Sequence, residues 1–156
     1  MAERTLYIVR GIPGSGKTTW VKKHNVNAAF SSDDFMVDVI DDREVYFFRP
    51  EKLAMTHNTC LNRAVMAMHQ GIPIVAVHNT FIKLWEFIHY ISIAEALGYT
   101  PIIVEMRVMT VKGVYMCVEK NEHNVPFGKV ADMYMNFQKY IGPHQVITEI
   151  FERRPL

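Results

Sequence analysis

Apolar residues along the chain follow two rhythms, short continuous runs and sets spaced three and four apart. Leu6–Val9 is a short run of β-favouring residues that ends at Gly11, which predicts a buried strand leading into a loop. A helix is expected from Lys17. A second strand is expected at Ala28–Ser31, where small and aromatic residues give way to Asp33, Asp34, Asp38, Asp41, Asp42 and Glu44, a stretch read as a loop or short solvated helix. Pro50 suits the first turn of a helix on which Leu53, His57, Cys60, Leu61, Ala64 and Met68 recur at helical spacing until Gly71. Ile72–Val77 is the next buried strand. Leu84, Phe87, Ile88, Ile91 and Leu97 share a helical face that Gly98 terminates, and Thr100–Val108 is strand again. A short helix and polar loop over Thr110–Pro126 follow. Val130, Met133, Tyr134, Phe137 and Ile141 then mark a helix stopped by Gly142-Pro143, and His144–Phe151 a final strand.

Strands alternating with helices imply crossover connections, because consecutive parallel strands need long returns. The expected architecture is therefore α/β: three layers around a central, mostly parallel five-stranded sheet, as one domain over residues 1–156. No internal repeat, linker or low-complexity segment interrupts it.

Composition narrows the functions open to this fold. The chain has 156 residues, 49% of them hydrophobic, enough for a core without staples. Seventeen Lys and Arg against sixteen Asp and Glu leave a net charge of +1, so a polyanionic partner would need a local basic site rather than a basic surface. Cys60 and Cys117 are far apart and lack metal-ligand spacing, which fits buried thiols in a reducing cytosol. The first residues run from charge straight into a short apolar stretch, unlike a signal peptide, and no run nears the ~18 apolar residues that span a bilayer. The expectation is an intracellular, cytoplasmic protein without a membrane partner, in host cytoplasm if viral; the oligomeric state is left open. The ten methionines are read as adaptable core filling.

Gly11-Ile12-Pro13-Gly14-Ser15-Gly16-Lys17-Thr18 is a complete G-x-x-x-x-G-K-[ST] phosphate loop (Walker A), with the expected strand before it and helix after it. Glycines let consecutive backbone N–H groups turn inward on phosphate, Lys17 reaches the terminal phosphates, and the Thr18 hydroxyl is a Mg²⁺ ligand. The expected nucleotide is ATP, held by Gly14, Ser15, Gly16, Lys17, Thr18 and Thr19. The loop alone does not decide whether water or a substrate hydroxyl attacks the γ-phosphate. Ser32-Asp33-Asp34 leans toward a kinase. A carboxylate just past a strand end points into the crevice of an α/β sheet, where it can accept a hydroxyl proton or help hold Mg²⁺. The alternative for each Asp is a solvated helix cap.

GIPGSGKTTW at 11–20, SSDDF at 31–35, the helix bearing Thr56-His57, HNTFIKLWE at 78–86 and EKNEHNVP at 119–126 together resemble the small P-loop kinases of the polynucleotide 5′-hydroxyl kinase type. The resemblance spans most of the chain. It implies a P-loop NTPase-type fold with a short helical lid at about 110–126, Asp33 as general base for the hydroxyl, and Lys17 and Thr18 on the phosphate and metal sides. The acceptor it implies is a nucleic acid, DNA or RNA, either at a 5′ end or on a hydroxymethylated base as in viral DNA modification. A small-molecule kinase acting on a sugar or antibiotic, and a nucleotide-dependent binding module, are the alternatives.

Two positions depart from that pattern. The lid arginine is replaced by Lys120, which keeps the charge but not the bidentate fork, so Lys120 acts as a point charge or Lys112 or Arg107 substitutes; a solvated helix position is the plain reading. His78 stands where relatives carry an Asp, which leaves metal organisation to Thr18 with Asp33 or Asp34 and makes His78 either a phosphate contact or a structural histidine. His57 falls on the apolar face of its helix and reads first as a core histidine, although the resemblance sets it near the crevice. Tyr46-Phe47-Phe48-Arg49 could stack a base, with Arg49 on a backbone phosphate, although such clusters are more often packing. Trp85 is read as packing and Glu86 as complementing a helix start. Arg49, Arg107, Lys112 and Lys120 are the residues expected to rim the crevice with positive charge.

Overall fold

The computed structural model describes residues 3–153. Five parallel strands, β1 (Thr5–Gly11), β2 (Ala28–Phe30), β5 (Ile74–Asn79), β6 (Thr100–Arg107) and β7 (Val146–Ile150), form one sheet in the order β2-β5-β1-β6-β7. The alternation expected of a pleated strand divides the core. Leu6, Ile8, Val75, Val77 and Ile103 face α2 (Leu53–His69) and α3 (Ile88–Ala96), whereas Val9, Ala76, Val104 and Met106 share the other face with Trp20 and Val21 of α1 (Lys17–Lys23). Beyond the strand ends, α4 (Val111–Lys120) and α5 (Phe127–Asn136) enclose a third cluster on Ile12, Val108 and Phe151. The α/β architecture, five-stranded parallel sheet and three layers are as the sequence implies.

The acidic stretch folds differently from its reading. It holds a 3₁₀ turn at Ser32–Phe35 and then an antiparallel hairpin of β3 (Val37–Ile40) and β4 (Arg43–Tyr46). Asp41 and Asp42 form its two-residue turn with φ of 52° and 61°, the doubly left-handed turn that matches strand twist and that Asp tolerates. The last helix also stops early, at Asn136. The backbone N–H of Gln138 is taken by the Ile82 carbonyl (2.9 Å) and that of Tyr140 by Glu105 Oε2 (2.8 Å), and both bonds pull the chain out of helix.

Arg10 and Glu105, on neighbouring strands, are both wholly buried. Arg10 Nη1 donates to Glu105 Oε2 at 2.6 Å, and its remaining donors reach the carbonyls of Phe81 and Ile82. This pair pins the segment after β5, where Phe81 has a φ of 44°. Burial still lowers the Arg10 pKa to about 10, against the pull of Glu105. Two packing expectations fail: Trp85 is 74% exposed, and Met55, Met66, Met109 and Met135 lie on the surface, while Met36, Met68 and Met106 are core. Cys60 and Cys117 are buried and no disulfide joins them.

Candidate active site

The phosphate loop lies between β1 and α1, at the end of the central strand. Gly14 and Gly16 have φ of 79° and 100°, left-handed backbone that disfavours side chains. A Cβ on Gly14 would also collide with the backbone carbonyl of Cys117 on α4, so α4 packs directly on the loop. Lys17 Nζ donates to the carbonyls of Gly11 (2.8 Å) and Ile12 (2.9 Å). Burial lowers its pKa to about 8, with Asp33 and then Cys117 acting in the opposite direction. Neither carbonyl carries the charge that would balance an ammonium, so the site favours a ligand that brings negative charge to Lys17.

The opposite wall is built by side chains. Ser31 caps the 3₁₀ turn: its Oγ accepts from the Asp33 N–H (3.2 Å), and Asp34 Oδ2 accepts from the Ser31 N–H (3.0 Å), a capping box. Asn79, at the end of β5, fixes the turn from the neighbouring strand. Its Oδ1 accepts from the Ser32 N–H and Oγ (both 2.8 Å), and its Nδ2 reaches Cys60 Sγ at 3.7 Å. The two adjacent carboxylates are thereby separated in role. Asp34 gives one oxygen, Oδ2, to its own backbone, and the Asp33 side chain, 48% exposed, opens on the cleft.

A third element closes in from α4 and α5. On the loop between them, His123 Nε2 lies 3.6 Å from Asp33 Oδ2, and its ring stacks on Tyr46 with centroids 3.9 Å apart. Burial, then the charge of Asp33, pushes the Tyr46 hydroxyl up to about 12, so it stays protonated.

Gly14, Gly16, Lys17, Thr18, Thr19, Asp33, Asp34, His57, His78 and Lys120 all line one cleft of about 1240 Å³. Ser15 is buried inside the loop. His57 is exposed on α2 and faces the cleft, which corrects its reading as a core histidine. His78 is partly buried beside the phosphate loop, and burial lowers its pKa, the neutral form being favoured. Lys120 is exposed, with Nζ 5.2 Å from the centre of the Phe151 ring. Of the expected basic rim only Lys120 lines the cleft. Arg49 is absent from the cleft lining; its Nε and Nη2 both bond Asp38 Oδ2 (2.9 and 2.7 Å). Arg107 lies beside a separate pocket, over the Phe137 ring, and Lys112 does not line the cleft. Tyr46 and Phe48 do; the His123 ring stacks on Tyr46, while Phe48 is 43% exposed with Lys129 Nζ 5.6 Å from its ring centre. The sequence reading missed Asn79 and His123; both lie inside motifs that carried the resemblance, at Asn79 of HNT and His123 of NEH.

The donor set fits Mg²⁺. That ion takes one or two protein oxygens and completes its shell with substrate phosphates and water, and Thr18 with the cleft carboxylates Asp33 and Asp34 offers such oxygens. Among the described residues no group of three or more His, Cys, Asp or Glu could hold a metal alone.

Sheet order, phosphate loop and cleft together define a P-loop kinase-like α/β domain. Residues 6–139 match the AAA domain family, and the chain belongs to it. It is 25% identical over 141 residues to human NEDD4-binding protein 2, a match covering 88% of this chain and 8% of that protein. Among solved structures, a chain of the Pnkp1/Rnl/Hen1 RNA repair complex superposes with a TM-score of 0.68 at 15% identity, covering 88% of this chain and 45% of that one. A sugar kinase from Janibacter superposes with 0.65 at 11% identity, covering 97% and 87%. At these identities the structures share the fold. Among the described residues no helix is long and apolar enough to cross a membrane.

Proposed function

We propose that the protein is an ATP-dependent phosphotransferase that moves the γ-phosphoryl group to a hydroxyl. The observation that carries this reading is the exposed Asp33 carboxylate held in the same cleft as Lys17 by the Ser31–Asn79 scaffold. Loop N–H groups and Lys17 bind the β- and γ-phosphates, and Asp33 accepts the proton of the attacking hydroxyl. Thr18 and Asp34 would hold Mg²⁺, which would neutralise charge on the phosphates. The rest of the rate comes from positioning and fixed dipoles. The cleft exceeds the ordinary single-ligand pocket, which leaves room for acceptor beside nucleotide.

For the acceptor, a nucleic acid hydroxyl is supported by the motif set and by the likeness to a chain of an RNA repair complex. A compact, sugar-like acceptor is the second reading, supported by two arginines that do not serve the cleft: Arg49 is paired with Asp38, and Arg107 lies outside the cleft. The deciding experiment supplies γ-labelled ATP and Mg²⁺ with 5′-hydroxyl DNA and RNA oligonucleotides, hydroxymethylated duplex DNA and a sugar panel. Label on an oligonucleotide or duplex establishes the first reading, and label on a sugar alone the second. ATP binding with no labelled product would refute phosphotransfer and leave a nucleotide-dependent binding module.

A further inference from the structure

His123 joins three anchored pieces of the cleft. Its own loop is clamped by Asn121, whose Nδ2 donates to the carbonyls of Val118 (2.8 Å) and Val125 (3.2 Å) and whose Oδ1 accepts from the Val125 N–H (2.8 Å). Asn124, with φ of 55°, completes the turn. The second piece is Tyr46, held by its pairing with Val37 across the hairpin. The third is the turn of Asp33, held by Asn79. The imidazole meets both, flat on Tyr46 with planes 22° apart and Nε2 at 3.6 Å from Asp33 Oδ2. That separation is a few tenths of an ångström beyond a hydrogen bond, and catalytic contacts of this kind shorten once substrates bind.

Resting on the reading of Asp33 as proton acceptor, we infer that His123 is the positioning residue for that carboxylate: Nε2–H holds Oδ2, leaves Oδ1 to the acceptor, and the Tyr46 stack closes that end of the cleft. In the transfer, the acceptor O–H bond breaks and its proton passes to Asp33 Oδ1. The hydroxyl oxygen forms a bond to the γ-phosphorus, and the bond from that phosphorus to the β–γ bridging oxygen breaks with its electron pair on ADP. His123 neither gives nor takes a proton.

An imidazole suits this place better than an ammonium. An imidazole N–H orients the carboxylate through one directed bond, whereas a lysine ammonium in contact would add a full charge that weakens it as a base. Lys120 is directed to Phe151 instead. Lys17, whose charge acts on Asp33, and Lys23, Asp34, Glu122, Lys129 and Glu149 line the same cleft.

The test uses the full chain with Mg-ATP and the acceptor that the labelling panel identifies. His123→Ala is expected to lower kcat on the order of 10- to 100-fold with KM for ATP unchanged. His123→Gln, whose amide N–H can reach the same oxygen, is expected to recover most of that loss, and His123→Phe, which keeps only the stack, is not. Equal losses in the Ala and Gln variants, or no loss in either, overturn the inference. If the wild type phosphorylates no acceptor, the functional reading fails separately and the contact is judged by NMR. The His123 ring protons are then expected upfield, in the shielding cone of Tyr46, and displaced by Asp33→Asn; ring signals indifferent to Asp33→Asn overturn it.

Discussion

On the phosphate side of the cleft the backbone does the placing. Gly14 and Gly16 take left-handed φ values, α4 seats directly on Gly14, and Lys17 lies along the loop's own carbonyls. On the acceptor side every positioned group depends on a side-chain hydrogen bond or ring contact: Asp33 on Ser31 and Asn79, His123 on Asn121 and Tyr46. A backbone-built wall tolerates side-chain change except at its glycines. A wall built of side-chain relays can lose its geometry one residue at a time while the nucleotide site survives, so substitutions on the two sides should separate binding from transfer.

The sharpest separation is expected from Asp33→Asn. Removing only the proton acceptor should lower the transfer rate by about 10²- to 10⁴-fold and leave ATP affinity in place. Wild-type turnover in that variant would move the base to Asp34 and dissolve the distinction drawn from the capping box. Arg10 comes next, the buried side chain that holds the segment after β5. Arg10→Ala leaves buried Glu105 without its guanidinium partner and the Phe81 carbonyl without the two Arg10 donors, and should cost about 3–5 kcal/mol in urea unfolding. A loss under 1 kcal/mol would mean that the pair adds little beyond its desolvation cost.

Asn79→Ala should fall between binding and folding. It orphans the Ser32 N–H, a cost of about 1–3 kcal/mol, and frees the turn of Asp33, so transfer should fall while ATP affinity holds. Equal decline in both would show that the two walls are not independent.

The same contrast explains what was legible in the sequence. Backbone-built features carry compositional signatures: the glycine spacing of the phosphate loop, apolar runs for the central strands, and Pro50 and Gly71 around α2 all read directly. Side-chain relays do not. Nothing in the string SSDDF says which Asp is tied into the capping box and which is left without a backbone partner, because the turn is set by Asn79, more than forty residues on and one strand over. The hairpin was hidden because its turn is Asp41-Asp42 rather than a glycine pair, so charge masked the β-branched residues Val37, Val39 and Val45 around it. The expected basic rim is incomplete for a related reason: counting cations along the chain does not show that Asp38 already holds Arg49.

Lys17 offers a smaller, graded test on the phosphate side. With its pKa lowered to about 8 by burial, the ammonium is present below that value and is lost as pH rises through it. Bound phosphate favours the charged form and raises the pKa, so ATP binding should take up protons near pH 8. Affinity should be flat below about pH 8 and fall above it by at most about tenfold per unit. Calorimetry in buffers of different ionisation enthalpy reads the uptake directly. A flat affinity from pH 7 to 10 would place the charge that binds phosphate elsewhere.

The smallest effect is expected at Arg49, and its smallness is informative. The guanidinium is 41% exposed, bonds Asp38 and stacks over Phe47, and Lys52 stands ready at 3.2 Å from the same carboxylate. Exposed ion pairs contribute little, and here a second cation can substitute. Arg49→Ala should therefore change neither the unfolding midpoint nor the acceptor KM by more than about twofold. A tenfold rise in KM for an oligonucleotide, with a sugar acceptor unaffected, would show that Arg49 leaves Asp38 for a backbone phosphate when a strand binds. The acceptor side would then hold a polyanion by rearranging an ion pair, and the charge argument for a compact acceptor would fall.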